Sequence, residues 1–194
     1  LVTRVGAKPP GAEVDVGLST GGEPRTLRVS LDLYPDLRAL ARKEQLGTPL
    51  PALALEGLDG EALTLGGEAG AGQGTVWVLD YFTTWCGPCK RVLPQLSDLQ
   101  ETYAARGVRV VGVTAEDRPT LSPYADKMMP SYRLALDPEK GFARELSARV
   151  LPTLWVVDAE GVIVEVLYGS GNHDALVAAV DAALASRDGG DVAP

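Results

Sequence analysis

A chain of 194 residues with a formal net charge of −8, 45% hydrophobic and 23% charged, has the composition of a soluble globular domain with appendages. The acidic balance, with no long basic run, argues against nucleic acid as a partner. No stretch approaches the ~18 consecutive apolar residues of a membrane span. The first residue is Leu1 rather than Met, so a processed or shortened chain is expected, from which any export signal or membrane tether would have been removed.

Residues 1–46 read as a partly flexible N-terminal extension, rich at its start in Gly, Pro, Ser and Thr. Alternation at Val14, Val16 and Leu18, and again at Leu27, Val29, Leu31 and Leu33, suggests a hairpin across residues 19–22. A disordered leader is the competing reading. Residues 36–45 read as a short helix with Leu37, Leu40 and Ala41 on one face and Gly47 as its stop. The main domain is expected over residues 47–187, with a disordered tail at 188–194.

Residues 49–55 alternate, Leu58-Asp59-Gly60 is a turn, and residues 62–65 are strand-like, giving a hairpin ahead of the core. Residues 66–74 form a Gly-rich loop without the Lys-Ser/Thr ending of a phosphate-binding loop. Residues 76–82 are apolar except for Asp80, the pattern of a central strand covered on both faces. A helix follows Cys86, with Val92, Leu93, Leu96, Leu99 and Tyr103 at helical spacing and an end near Arg106-Gly107. A second buried strand at 108–113 completes a strand-helix-strand crossover. Residues 116–129 read as a helix interrupted or started late by Pro119 and Pro123, and 132–136 as a short strand. Residues 138–148 read as a helix with Phe142 and Leu146 inward. Strands at 151–157 and 162–168 flank the turn at 158–161, and Asn172 caps a last helix to about Ser186. The fold class is α/β: a central mixed sheet flanked by helices, with an N-terminal hairpin and an inserted α/β element.

Both cysteines of the chain lie in Cys86-Gly87-Pro88-Cys89, where the buried strand meets the helix. A thiol reacts as its thiolate, and the unpaired N–H groups and positive dipole end at a helix start favour that anion at Cys86. Cys89 lies three residues on, on the same side of the helix, where it can close a small disulfide ring. Gly87 gives the turn freedom, and Pro88 early in a helix sacrifices no hydrogen bond. Cys86 is expected to attack and Cys89 to resolve. A structural zinc wants four Cys or His ligands, and two cysteines with the single His173 do not supply them, so no metal or other cofactor is expected. A purely structural disulfide over so short a loop would restrain the unfolded chain very little.

Asp80 stands out in an apolar strand, six residues before Cys86. Buried beneath the thiols, it would have a raised pKa and could exchange a proton with Cys89. The alternative is a strand-end Asp reaching solvent or capping a backbone group. Trp85 abuts Cys86 and is read as both a shield and a contact surface. Trp77 and Trp155 read as sheet residues, Met128-Met129 as packing, and His173 as solvated.

Trp85-Cys86-Gly87-Pro88-Cys89-Lys90, following Asp80-Tyr81-Phe82, closely resembles the thioredoxin active site. Pro94 matches a helix-kinking proline of that family, and Leu151-Pro152-Thr153-Leu154 resembles the segment that holds its cis-proline. The insertion at 114–138, the turn at 58–60 and the segment 157–161 resemble the branch named for TlpA and ResA, which are exported thiol-disulfide oxidoreductases, often membrane-anchored. The likeness spans about residues 48–187. It implies a three-layer thioredoxin-like fold and exchange with protein thiols or disulfides and an upstream redox partner. A periplasmic or membrane-anchored location follows, with the cytoplasm as the alternative. It also implies catalytic roles for Cys86, Cys89, Asp80 and Pro152, and a substrate surface of Trp85, Gly87, Pro88 and Leu151.

The sequence departs from the pattern in two places. Val92 stands where ResA-like members carry a glutamate, and Gly112 stands where thioredoxins pair the buried Asp with a lysine. Peroxiredoxins share the fold, but of their Pro-x-x-x-Thr-x-x-Cys pattern Thr83 is present while Leu79 holds the proline position. A non-catalytic binding domain and a thiol peroxidase are the alternative readings.

Overall fold

The alternation at Val14, Val16, Leu27 and Val29 produces an antiparallel hairpin of β1 (Glu13–Leu18) and β2 (Arg25–Ser30), in which Val14 pairs with Val29 and Val16 with Leu27. Arg28 and Asp15 pair at 3.0 Å on the opposite face. The structure is a computed structural model that describes residues 11–18, 25–31, 37–67 and 74–189. The expected turn at 19–22, the leader before residue 11, most of the 66–74 loop and the tail beyond 189 lie outside the described residues. The chain divides into two units, Leu1–Ala39, which contains the hairpin, and Leu40–Pro194.

Helix α1 (Leu37–Gln45) begins in the first unit and ends in the second, stopped by Gly47 at φ 76°. On its apolar face Leu40 is exposed. The contacts come instead from its polar end. Arg42 donates to both carboxylate oxygens of Glu165 at 2.7 and 2.8 Å, and Gln45 Oε1 accepts the Trp155 indole N–H at 2.6 Å. A bidentate ion pair and a bond to a buried indole hold Arg42 and Gln45 within the second unit through directed contacts.

The second unit continues with β3 (Leu53–Gly57), β4 (Ala62–Leu65), β5 (Val76–Tyr81), α2 (Gly87–Tyr103), a 3-10 turn (Ala104–Arg106) and β6 (Val108–Thr114). There follow α3 (Arg118–Met128), β7 (Arg133–Leu136), α4 (Gly141–Glu145), β8 (Thr153–Val157), β9 (Ile163–Tyr168) and α5 (His173–Gly189). The sheet runs β4-β3-β7-β6-β5-β8-β9. Strands β5, β6 and β7 are parallel, and β3, β4, β8 and β9 join antiparallel. The β3–β4 hairpin therefore becomes one edge of the main sheet, and the inserted α3–β7 element places a strand between that edge and β6.

A hydrophobic core covers each face. On one, Val78, Val110 and Val156 meet Leu93, Leu96 and Leu99 of α2, Leu121 of α3, and Val180 and Leu184 of α5. Each fully buried Leu or Val of this kind contributes about 1.5–3 kcal/mol. On the other, Leu79, Val113 and Trp155 pack with Phe142, whose ring stacks on Tyr81 at 5.7 Å and meets Trp155 edge-on at 5.4 Å.

Helices α4 and α5 end differently from expectation. α4 spans only Gly141–Glu145, within the expected 138–148, because Lys140 (φ 55°) and Ser147 (φ 49°) take left-handed backbone on either side. Phe142 and Leu146 are nonetheless buried. α5 runs to Gly189, three residues past the expected end at Ser186.

Candidate active site

Strand β5 keeps its ladder to Phe82, whose N–H donates to Val113 O at 3.0 Å. Four residues later Cys86 caps α2, with extended backbone at φ −73° and ψ 108°. Its Sγ accepts the Cys89 N–H at 3.2 Å, and its carbonyl accepts the Lys90 N–H at 3.2 Å. The sulfur thus occupies the position of a helix N-cap oxygen, where unpaired amides and the helix dipole favour negative charge. Cys86 and Cys89 form a disulfide with their Cα atoms 5.3 Å apart. Both are buried, while Trp85, Gly87 and Pro88 around them are exposed, Trp85 to 71%. Pro94 lies inside α2.

The Leu151-Pro152 peptide is cis. Pro152 is buried and directly precedes Thr153, which pairs with Tyr81 across β5 and β8. The sheet thus brings Pro152 to the end of β5 from which the Cys86 turn departs. Gly169 N–H donates to Pro152 O at 2.8 Å, and the Thr153 hydroxyl to Val150 O at 2.7 Å.

Asp80 is 1% exposed. The strand period puts it on the face of Val76, Val78 and Phe82, the one that α2 covers. Burial alone pushes its carboxyl up to about 8 from an ordinary 3.8. Its Oδ1 has no hydrogen-bond partner among the described residues. Across β5 and β6 it pairs with Gly112, so no side chain reaches it from that position. Space for one is lacking: a Cβ at Gly112 would lie 2.8 Å from Leu134 Cδ2 and 3.1 Å from both Tyr132 Cε2 and Phe82 Cε1. Burial, with the Asp80 charge as the next cause, raises the phenols of Tyr124 and Tyr132, and Tyr124 Oη is itself buried without a partner among the described residues.

Several side residues depart from the sequence reading or complete it. Val92, at the position of the ResA-like glutamate, is packed in the core under α2. His173 is half-buried, with its Nδ1 enclosed and without a partner among the described residues, not solvated as expected. Asn172 turns its amide back to Tyr168 O and Gly169 O at 3.0 and 3.1 Å, while its carbonyl accepts the Leu176 N–H at 2.8 Å to open α5. Met128 packs against the core, but Met129 is 78% exposed at φ 44° and does not share the expected packing.

One residue beside the turn escaped the sequence reading. Glu116, expected at the start of a helix, lies outside it, because Asp117 is the N-cap of α3. Its carboxylate accepts the Thr84 backbone N–H at 2.7 Å and the Thr84 hydroxyl at 2.9 Å. The available signal was Asp117 three residues before Thr120, an N-cap pattern that leaves Glu116 in the preceding loop.

The AhpC/TSA family model matches residues 46–166. The chain belongs to the AhpC/TSA family. It is 30% identical over 133 residues to the thiol-disulfide oxidoreductase ResA of Halalkalibacterium halodurans, covering 68% of this chain and 72% of the relative. To the ResA of Bacillus thuringiensis it is 24% identical over 149 residues, covering 76% and 84%. The crystal structure of a thioredoxin-family thiol:disulfide interchange protein from Chlorobium tepidum superposes with a TM-score of 0.59 at 26% identity, covering 71% of this chain and 97% of that one. With its Cys86–Cys89 pair at a helix start, this member of the family is a thioredoxin-fold thiol-disulfide oxidoreductase.

Proposed function

We propose that the enzyme exchanges disulfides with protein substrates in the cell envelope, through Cys86 as attacking thiol and Cys89 as resolving thiol. The observation that carries this reading is the sulfur of Cys86 at the N-cap of α2, accepting an amide N–H. In the reducing direction the Cys86 thiolate attacks one sulfur of a substrate disulfide. A mixed disulfide forms and one substrate thiolate leaves, taking up a proton. Cys89 then loses its proton to Asp80, and its thiolate attacks Cys86 Sγ. The second substrate thiolate departs, the substrate has gained two electrons, and the Cys86–Cys89 disulfide is restored. A carboxyl at about 8 exists in both forms near neutrality, which suits it to take or return that proton.

Extended substrate would lie along Leu151-Pro152, pairing its backbone beside the disulfide, with Trp85, Gly87 and Pro88 as the surrounding surface. Location in the envelope rests on the likeness to the TlpA and ResA branch. Among the described residues no helix is long and apolar enough to cross a membrane. Fractionation of the native protein should recover it outside the cytoplasm.

Cys89→Ser should trap a mixed disulfide through Cys86, released by reductant and resolved by mass spectrometry. Absence of any adduct, together with full insulin reduction by Cys86→Ser, would overturn the assignment. A scaffold that merely retains the fold predicts a slow Cys86 thiol with an ordinary alkylation profile against pH. The catalytic reading predicts a profile displaced to lower pH.

A further inference from the structure

The β5 ladder ends at Phe82 and α2 begins at its Cys86 cap, leaving Thr83-Thr84-Trp85 as the link that presents the attacking sulfur. Cys86 N–H donates to Thr83 O at 3.2 Å, which ties one end of the link to the other. Its middle residue is held from a different element. Glu116 Oε2 accepts the Thr84 N–H at 2.7 Å, and Oε1 accepts the Thr84 hydroxyl at 2.9 Å. Glu116 is itself fixed from below by Thr114, a fully buried residue at the end of β6. The Thr114 hydroxyl oxygen lies 3.3 Å from both Glu116 Oε2, to which it donates, and the Glu116 N–H, which it accepts. The next residue of the link, Trp85, is 71% exposed and cannot anchor it by burial.

The geometry points to Glu116 as a positioning residue for the disulfide-exchange site, clamping the Thr84 link so that Trp85 and Cys86 face a protein substrate in one fixed arrangement. This inference rests on the proposed exchange with protein disulfides. Bonds from an amide or hydroxyl to a carboxylate are about twice as strong as neutral ones, and two of them converge on one residue of a three-residue link. Glu116 acts on the site through the Thr84 backbone and hydroxyl. A Gln side chain can keep both contacts, its carbonyl accepting the Thr84 N–H and its amide donating to the Thr84 hydroxyl. An Ala side chain keeps neither.

The test compares Glu116→Ala with Glu116→Gln in the full chain, with two readouts. Hydrogen exchange at the Thr84 amide should accelerate at least about tenfold in Glu116→Ala and stay within about twofold of wild type in Glu116→Gln. In insulin reduction the Ala variant should lose about tenfold in kcat/KM, mainly through KM, and the Gln variant should recover most of it. Unchanged Thr84 exchange in Glu116→Ala, or equal loss in both variants, would overturn the clamp. Should Glu116→Ala fail to fold, Thr84→Ala removes the hydroxyl contact alone and should shift KM in the same direction by a smaller factor; an unshifted KM there counts against the proposal. A wild type inactive on insulin would refute the substrate assignment, whereas the exchange measurement would still decide the clamp.

Discussion

Asp80 and Glu116 are both carboxylates adjoining the segment that carries Cys86, one at the end of β5 and the other in the turn after β6. Asp80 is enclosed, with Oδ1 unpartnered among the described residues and Gly112 opposite it. Glu116 is half-buried and accepts bonds from Thr84 and Thr114. The first arrangement makes ionisation costly and so stores a proton near neutrality. The second ties down backbone through directed acceptor bonds. Opposite requirements, a movable proton and an immovable link, are met by the same functional group in two degrees of burial.

The strongest way to break that contrast is to remove the Asp80 carboxyl. With a native value of about 8 against an ordinary 3.8, the folded chain keeps a proton that the unfolded chain gives up between those limits. The associated stability is fully present below pH ~4 and is lost progressively as pH rises towards 8. Asp80→Asn lacks this slope. Relative to wild type it should therefore gain roughly 4 kcal/mol in unfolding free energy between pH 5 and pH 8, at 1.36 kcal/mol per unit. Urea denaturation of the two oxidised proteins at both pH values measures it. A difference that stays flat would mean that Asp80 is solvated after all. The same variant should slow insulin reduction near neutrality, with the pH dependence of the rate flattened.

A smaller effect tests why Asp80 stands alone. A Cβ at Gly112 would press on Leu134 at 2.8 Å and on the rings of Tyr132 and Phe82 at 3.1 Å. These are side-chain atoms that can give way, so Gly112→Ala should cost about 1–3 kcal/mol, as overpacking does. Thermal unfolding would detect it. A neutral outcome would show that the packing beside Asp80 is loose enough to admit a partner, and would weaken the link between its isolation and its raised pKa.

How much of this was legible in the sequence depended on the range of the interaction involved. The Cys86 turn follows from a local motif and the place of Gly112 opposite Asp80 from the resemblance to thioredoxins, while the burial of Asp80 was one of two readings that an isolated carboxyl in an apolar strand allows. The two core faces follow from apolar spacing. Glu116 was not legible, because its partner Thr84 is 32 residues away and only the parallel pairing of β5 and β6 brings them together. The contacts of α1 were hidden for a related reason: Arg42 and Gln45 reach Glu165 and Trp155, over 100 residues distant. Short helices bounded by left-handed non-glycine residues, such as α4 between Lys140 and Ser147, carry no compositional mark at their ends.

The smallest expected change in stability falls at Trp85, between the Thr84 clamp and the Cys86 sulfur. At 71% exposure its side chain contributes little to the fold, so Trp85→Ala should alter unfolding free energy by no more than about 0.5 kcal/mol. Exposed aromatic rings next to a reactive centre do contribute to docking, and KM for insulin should rise about threefold, with small-molecule disulfide reduction much less affected. Combined with Glu116→Ala, the two losses in kcat/KM should fall short of the product of the single effects, because the clamp acts in part by presenting this ring. Full multiplicativity would instead mean that Glu116 serves Cys86 alone, and the positioning role would narrow from the substrate surface to the sulfur.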